Sequence, residues 1–93
     1  MSELSQLVEH NTAQQQFILT VEGLQAVLAY RMRDASTLDF YRTYVPDELR
    51  GRSIAAILVE RGLQFAQEKG WQVVPSCSYV QVYMERQRRK AGA

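Results

Sequence analysis

The chain has 93 residues and a net charge of +1, with 46% hydrophobic and 23% charged residues. That suffices for one domain (1–93) around one modest core, and so small a charge supplies no whole-molecule field for nucleic acid or an anionic membrane. No apolar run reaches bilayer length, no basic-then-apolar leader opens the chain, and the lone cysteine, Cys77, excludes an intrachain disulfide, so a small cytoplasmic domain is expected.

Residues 1–14 are polar, with Leu4, Leu7 and Val8 as apolar anchors, and read as a loosely ordered lead-in or a marginal first strand. His10 lies in this stretch and reads as a solvated side chain. Residues 16–22 carry Phe17, Leu19 and Val21 on one face of a strand. Glu22-Gly23 then reads as a hairpin turn, because Gly takes a positive φ without steric cost. Residues 25–33 return as a second strand, with Ala26, Leu28, Tyr30 and Met32 alternating against Val27, Ala29 and Arg31. A turn at 34–36 leads to a third strand over 37–45, completing an antiparallel meander. Pro46 has no amide to donate, so pairing should end there.

Residues 53–69 form the best helix, with Ile54, Leu58, Gly62, Phe65 and Ala66 on one face and a stop at Lys69-Gly70. Its first turns are apolar almost all round, so this end should be buried and held rigidly. Residues 72–76 read as a short buried strand, and residues 79–90 as a second helix with Val80, Tyr83 and Met84 turned inward. The order is β-β-β-α-β-α, an α/β domain with a mixed sheet. Strand, helix, strand in sequence implies one right-handed crossover that makes the last strand parallel to the third. The basic run at 86–90, which leads into the tail at 89–93, reads as a solvated helix end whose cations complement the dipole, which leaves nucleic-acid binding through it as the weak reading.

Between the third strand and the long helix runs Pro46-Asp47-Glu48-Leu49-Arg50-Gly51-Arg52-Ser53. A strand that feeds a Gly-containing turn at a helix N-terminus can bind phosphate, since first-turn amides and the helix dipole face outward there. Arg50 and Arg52 can add charge-assisted contacts. Residue types alone leave the alternative of an ordinary connector, with Asp47 and Glu48 pairing locally with the two arginines. Ligands of such parallel units sit at the carboxyl ends of the strands. Those ends bring Tyr44 and Val45 opposite Pro75, Ser76, Cys77, Ser78 and Tyr79, in a cleft beside residues 50–55. Cys77 is there either a small packed hydrophobe or a thiol activated by the second helix's dipole. The sequence holds no metal-spaced His/Cys/carboxylate cluster, no Gly-x-Ser-x-Gly elbow and no lysine-bearing P-loop, so no metal is expected.

The run from Val45 to Ala55, followed by Lys69-Gly70-Trp71 and by Val74-Pro75-Ser76-Cys77-Ser78-Tyr79-Val80, resembles the small single-domain GNAT-like N-acetyltransferases. These form the compact branch that lacks the first helices of full-length GNAT enzymes, and the resemblance covers residues 10–88. It implies an acetyl-CoA-binding fold that transfers acetyl to an amine, here unidentified, in a monomer or weak dimer. The family's Arg/Gln-x-x-Gly-x-Gly/Ala pyrophosphate loop falls on Glu48, Gly51 and Ser53, with Ser53 in place of the usual second Gly. Tyr44 and Val45 match the strand that offers backbone groups to the pantetheine arm, and Cys77 matches the proposed active-site cysteine. The implied cofactor-binding set is Tyr44, Val45, Arg50, Gly51, Arg52, Ser53, Ile54, Ala55, Ser78 and Tyr79. Relatives often carry His directly before the Thr of the Thr-x-Val-Pro run; Arg42 stands there in this chain and cannot serve as a base at neutral pH. A non-catalytic acyl-CoA-binding module is the alternative expectation.

Overall fold

The computed structural model describes residues 3–92. After a 3₁₀ turn at Glu3–Leu7, strands β1 (Glu9–Asn11), β2 (Gln16–Val21), β3 (Leu24–Asp34) and β4 (Thr37–Tyr44) run as an antiparallel meander. A 3₁₀ turn at Asp47–Leu49 leads into helix α1 (Ile54–Lys69), then β5 (Gln72–Pro75) and helix α2 (Ser78–Gly92). The five strands lie in sequence order, and β5 pairs parallel to β4. The mixed α/β sheet is thus the expected one, with the meander lengthened by β1 from the polar lead-in. Among the described residues no helix is long and apolar enough to cross a membrane.

Local chemistry accounts for the turns. Glu22 and Gly23 both have positive φ, 53° and 78°, the pair of left-handed residues that a two-residue hairpin needs to match strand twist. At the next turn the Ser36 amide donates to Asp34 Oδ1 at 2.9 Å, an Asx turn. At the end of α1, Gly70 adopts φ 72°, and Trp71 donates back to the Ala66 carbonyl at 2.9 Å, which satisfies carbonyls the helix leaves open.

The core lies between one face of the sheet and the two helices. Phe17, Leu19, Leu28, Leu38, Phe40, Leu49, Ile54, Leu58, Val59 and Val80 are fully buried, each contributing about 2 kcal/mol through removal of apolar surface from water. Gly62 lets α1 approach the sheet closely, since a Cβ there would lie 2.7 Å from Phe40 Cζ. His10 belongs to this layer rather than to solvent. Its ring stacks on Phe17 with centroids 4.2 Å apart, meets Phe65 edge-on at 4.5 Å, and its Nε2 lies 2.6 Å from the Tyr30 hydroxyl. The strand period puts a buried carboxylate on the other sheet face, where Asp39 Oδ2 accepts from Arg31 Nε at 3.3 Å and Arg33 Nε at 3.2 Å. Burial raises the Asp39 pKa, but Ser76, Arg33 and Arg31 more than offset it, and the net displacement is downward.

Candidate functional site

The loop before α1 is built around one buried side chain. Leu49 is fully buried and pins the 3₁₀ turn, whose bonds run from the Leu49 amide to the Pro46 carbonyl and from the Arg50 amide to the Asp47 carbonyl. Gly51 and Ser53 then take left-handed conformations with φ of 82° and 61°. For Gly51 this is free of strain; for Ser53 the Cβ makes it costly. The first helical bond runs from the Ile57 amide to the Ser53 carbonyl at 3.1 Å. The amides of Ile54, Ala55 and Ala56 therefore have no acceptor within the helix. No side chain caps this terminus, and no acidic residue lies in its first turn. Unanswered amides at the positive end of a sixteen-residue helix fit a phosphate group.

Both loop arginines are engaged on the surface. Arg50 Nε lies 3.3 Å from Asp47 Oδ1, as the local-pairing expectation has it. Arg52 pairs instead with Glu22 on the β2–β3 turn, a long-range contact that residue spacing does not reveal. Exposed pairs of this kind hold their partners weakly, so either guanidinium can swing to a bound anion at little cost.

Next to the loop is a cavity of about 300 Å³ lined by Val45, Leu49, Arg50, Gly51, Ser53, Ile54, Ala55 and Tyr79. It gathers seven of the ten residues expected to bind cofactor and adds Leu49, which sequence reasoning treated only as loop. A single apolar residue between Glu48 and Arg50 in an otherwise charged loop is the signal that would have marked it as an anchor. The remaining three lie elsewhere. Arg52 is turned to Glu22, Ser78 is exposed at the start of α2, and Tyr44 faces the opposite side of the sheet. A wider hollow of about 530 Å³ between α1 and α2, lined by Glu60, Arg61, Gln64, Gln67 and Tyr83 among others, contains neither the loop nor the thiol, so volume is no guide to the chemistry.

Cys77 does not line the cavity beside the loop; it stands two residues before Tyr79, which does. The β4–β5 ladder ends at Phe40 and Pro75, the Cys77 amide donates to the Phe40 carbonyl at 2.9 Å, and the two chains then part. Cys77 caps α2, its carbonyl accepting from the Gln81 amide at 3.0 Å. Its sulfur lies 3.4 Å from Thr43 Oγ1. Burial raises the thiol pKa, but the Thr43 hydroxyl and backbone hydrogen bonds from Val80, Tyr79 and Thr43 outweigh it and leave the pKa below its ordinary value. A half-buried thiol at a helix N-terminus with a lowered pKa is in a setting that favours the thiolate. Among the described residues no group of three or more His, Cys, Asp or Glu is arranged to hold a metal ion.

Comparison with known proteins agrees with this geometry. Residues 16–92 match the GCN5-related N-acetyl-transferase family. The chain is 35% identical over 80 residues to protein NATD1 of Xenopus tropicalis, spanning 84% of this chain and 73% of that protein. Protein NATD1 of Homo sapiens is likewise 35% identical over 80 residues, 84% of this chain and 71% of its own length. In fold the chain is similar to the solution NMR structure of a GCN5-like protein from Staphylococcus aureus, with a TM-score of 0.71, 24% identity, and coverage of 94% and 83% of the two chains.

Proposed function

Because the chain belongs to the GCN5-related N-acetyltransferase family, we propose that it is an acetyl-CoA-dependent N-acetyltransferase acting on a small amine. One observation carries this reading. One cavity is lined both by the residues at the open N-terminus of α1 and by Tyr79, two residues from Cys77 in sequence.

In this reading the amides of Ile54, Ala55 and Ala56 hold the CoA pyrophosphate, and Arg50 and Arg52 leave their surface carboxylates to join them. The pantetheine arm follows Val45 into the opening between β4 and β5, which brings the thioester to Cys77. The Cys77 thiolate, held by Thr43 and the first amides of α2, attacks the thioester carbonyl. The carbon–sulfur bond to CoA breaks, and CoA leaves as a thiolate that takes up a proton. The acceptor amine then attacks the acetyl-cysteine, forming the carbon–nitrogen bond, breaking the bond to Sγ, and releasing its extra proton to solvent.

Two measurements test this. Titration of the ¹⁵N-labelled chain with acetyl-CoA should move the amides of residues 50–55 first; unmoved amides there overturn the assignment. Intact-mass analysis of a quenched reaction should show acetyl on Cys77, and full activity in Cys77→Ala excludes the covalent route. Acetyl-CoA binding without turnover across a panel of amines supports the acyl-CoA-binding module instead.

A further inference from the structure

Strand β4 presents side chains to both faces of the sheet at the point where the thiol sits. Thr43 faces Cys77 on the helical side. Its neighbours Arg42 and Tyr44 pair with Ala29 and Val27 and face the side that no helix covers. There they line a hollow of about 220 Å³ with Gln16, Val27, Ala29 and Tyr41. Val27 and Ala29 make a small apolar floor. Tyr41 and Tyr44 form walls that stand 43% and 50% exposed. Arg31, Arg33, Arg50 and Arg52 each pair with a carboxylate. Arg42, by contrast, makes no ion pair among the described residues. The guanidinium of Arg31 lies over the Tyr41 ring, 4.8 Å from its centroid, which leaves Arg42 as the cation that shares the hollow with two tyrosines, an apolar floor and the Gln16 side chain. Such a lining suits a planar anion attached to a small apolar body.

The hollow also lies next to the chemistry. Beyond Phe40 the edge of β4 has no strand partner on the β5 side among the described residues. A group seated against Arg42 and Tyr44 therefore needs to pass only around one open strand edge to reach the Cys77 side of Thr43.

We infer that this hollow is the acceptor subsite and takes an amine of amino-acid size that carries a carboxylate, the carboxylate bound by Arg42 and the amine directed past the edge of β4 toward Cys77. This rests on the acetyltransferase reading above. The size follows from the volume, which is below that of pockets that enclose drug-sized ligands. The charge follows from the lining, which includes the Arg42 cation and no carboxylate.

The test uses the full chain labelled with ¹⁵N and two product-shaped probes that need no turnover, N-acetyl-L-alanine and its uncharged C-terminal amide. The acid should move the amides of Gln16, Ala29 and Arg42 and bind about tenfold more tightly than the amide, the usual effect of one charge-assisted bidentate contact. Arg42→Gln should abolish that preference, and Arg42→Lys, which keeps the charge, should retain part of it. In parallel, acetyl-CoA should shift residues 50–55 equally in the wild type and in Arg42→Gln. Equal affinity for the two probes, shifts confined to other residues, no shift at all, or a preference that survives Arg42→Gln overturns the subsite. Loss of the acetyl-CoA response at 50–55 in the wild type overturns the acetyltransferase reading instead, so the two failures are told apart.

Discussion

Thr43 Oγ1 lies 3.4 Å from Cys77 Sγ, and a single extra residue in β4 is what puts it there. Tyr30 pairs with Phe40, but Ala29 pairs with Arg42, so Tyr41 is bulged out of the ladder. Unbroken alternation from the buried Phe40 would turn Arg42 toward the helices and Thr43 away from them. The bulge inverts this, giving the thiol a neutral hydroxyl and sending the arginine to the open face. Re-aiming a side chain beside a site is a known use of bulges.

Replacing Thr43 by Val keeps the shape and burial of the contact and removes its hydroxyl. Burial, which raises the Cys77 pKa, then loses its largest opponent. The thiol pKa should rise, and the rate of alkylation by iodoacetamide at neutral pH should fall severalfold. The amides of Val80 and Tyr79 still favour the thiolate, so the fall should be partial. An unchanged pH profile of alkylation would show that the hydroxyl has no part in tuning the thiol.

Ser53 stands where the family loop usually has Gly, and its φ of 61° explains the preference. A left-handed non-glycine residue costs about 1 kcal/mol, and the Ser53 hydroxyl recovers none of this through a capping bond. Ser53→Gly should stabilise the chain by about 1 kcal/mol, somewhat less after the extra unfolded-state entropy of Gly. Urea unfolding measures this directly. Acetyl-CoA affinity should be kept, because the amides of the following turn are untouched. Lower stability in the glycine variant would place the strain elsewhere.

Much of the fold was legible because its signals are local. The Glu22-Gly23 turn, the Lys69-Gly70 stop and the apolar start of α1 each depend on residues adjacent in sequence. The parallel pairing of β5 with β4 was legible because a strand–helix–strand unit has few topological solutions. What remained hidden depended on register or on distant partners. The lead-in looked loose because its anchor, the packing of His10 with Phe17, Tyr30 and Phe65, joins four separate elements. The facing of Tyr44 was hidden because a bulge leaves no mark in residue type. Arg52 was matched to nearby acids because nothing in its spacing points to Glu22.

Gly62 is a test of helix-to-sheet fit. Alanine would improve the intrinsic propensity of α1 by nearly 1 kcal/mol. Its Cβ, however, would stand 2.7 Å and 2.9 Å from two Phe40 ring atoms and 3.0 Å from Leu28 Cδ2. Both partners are fully buried, so either must shift within the packed core to make room. Overpacking of this kind costs about 1–3 kcal/mol, which outweighs the propensity gain. Gly62→Ala should lower stability by about 1–2 kcal/mol in chemical denaturation, with a larger loss for Gly62→Val. A stabilised alanine variant would mean that α1 can lift from the sheet.

His10 makes stability depend on pH in a direction that its surroundings dictate. Burial is the main cause that lowers its pKa from 6.5, and the positive charge of Arg61 on α1 adds to it; Tyr30 is the other titratable group against the ring. The folded state thus binds the imidazole proton less readily than the unfolded state. Wherever the pH lies between the folded and unfolded pKa values, the unfolded chain carries more protons, and stability rises with pH. The contribution is complete above 6.5 and is lost as the pH falls below that value toward the depressed folded pKa. Urea midpoints measured from neutral to mildly acid pH should fall in the wild type more than in His10→Asn, which cannot titrate. The difference between the two curves isolates the histidine from the carboxylates, which respond at lower pH. Parallel curves would mean that the ring is charged as easily between Phe17 and Phe65 as it is in water.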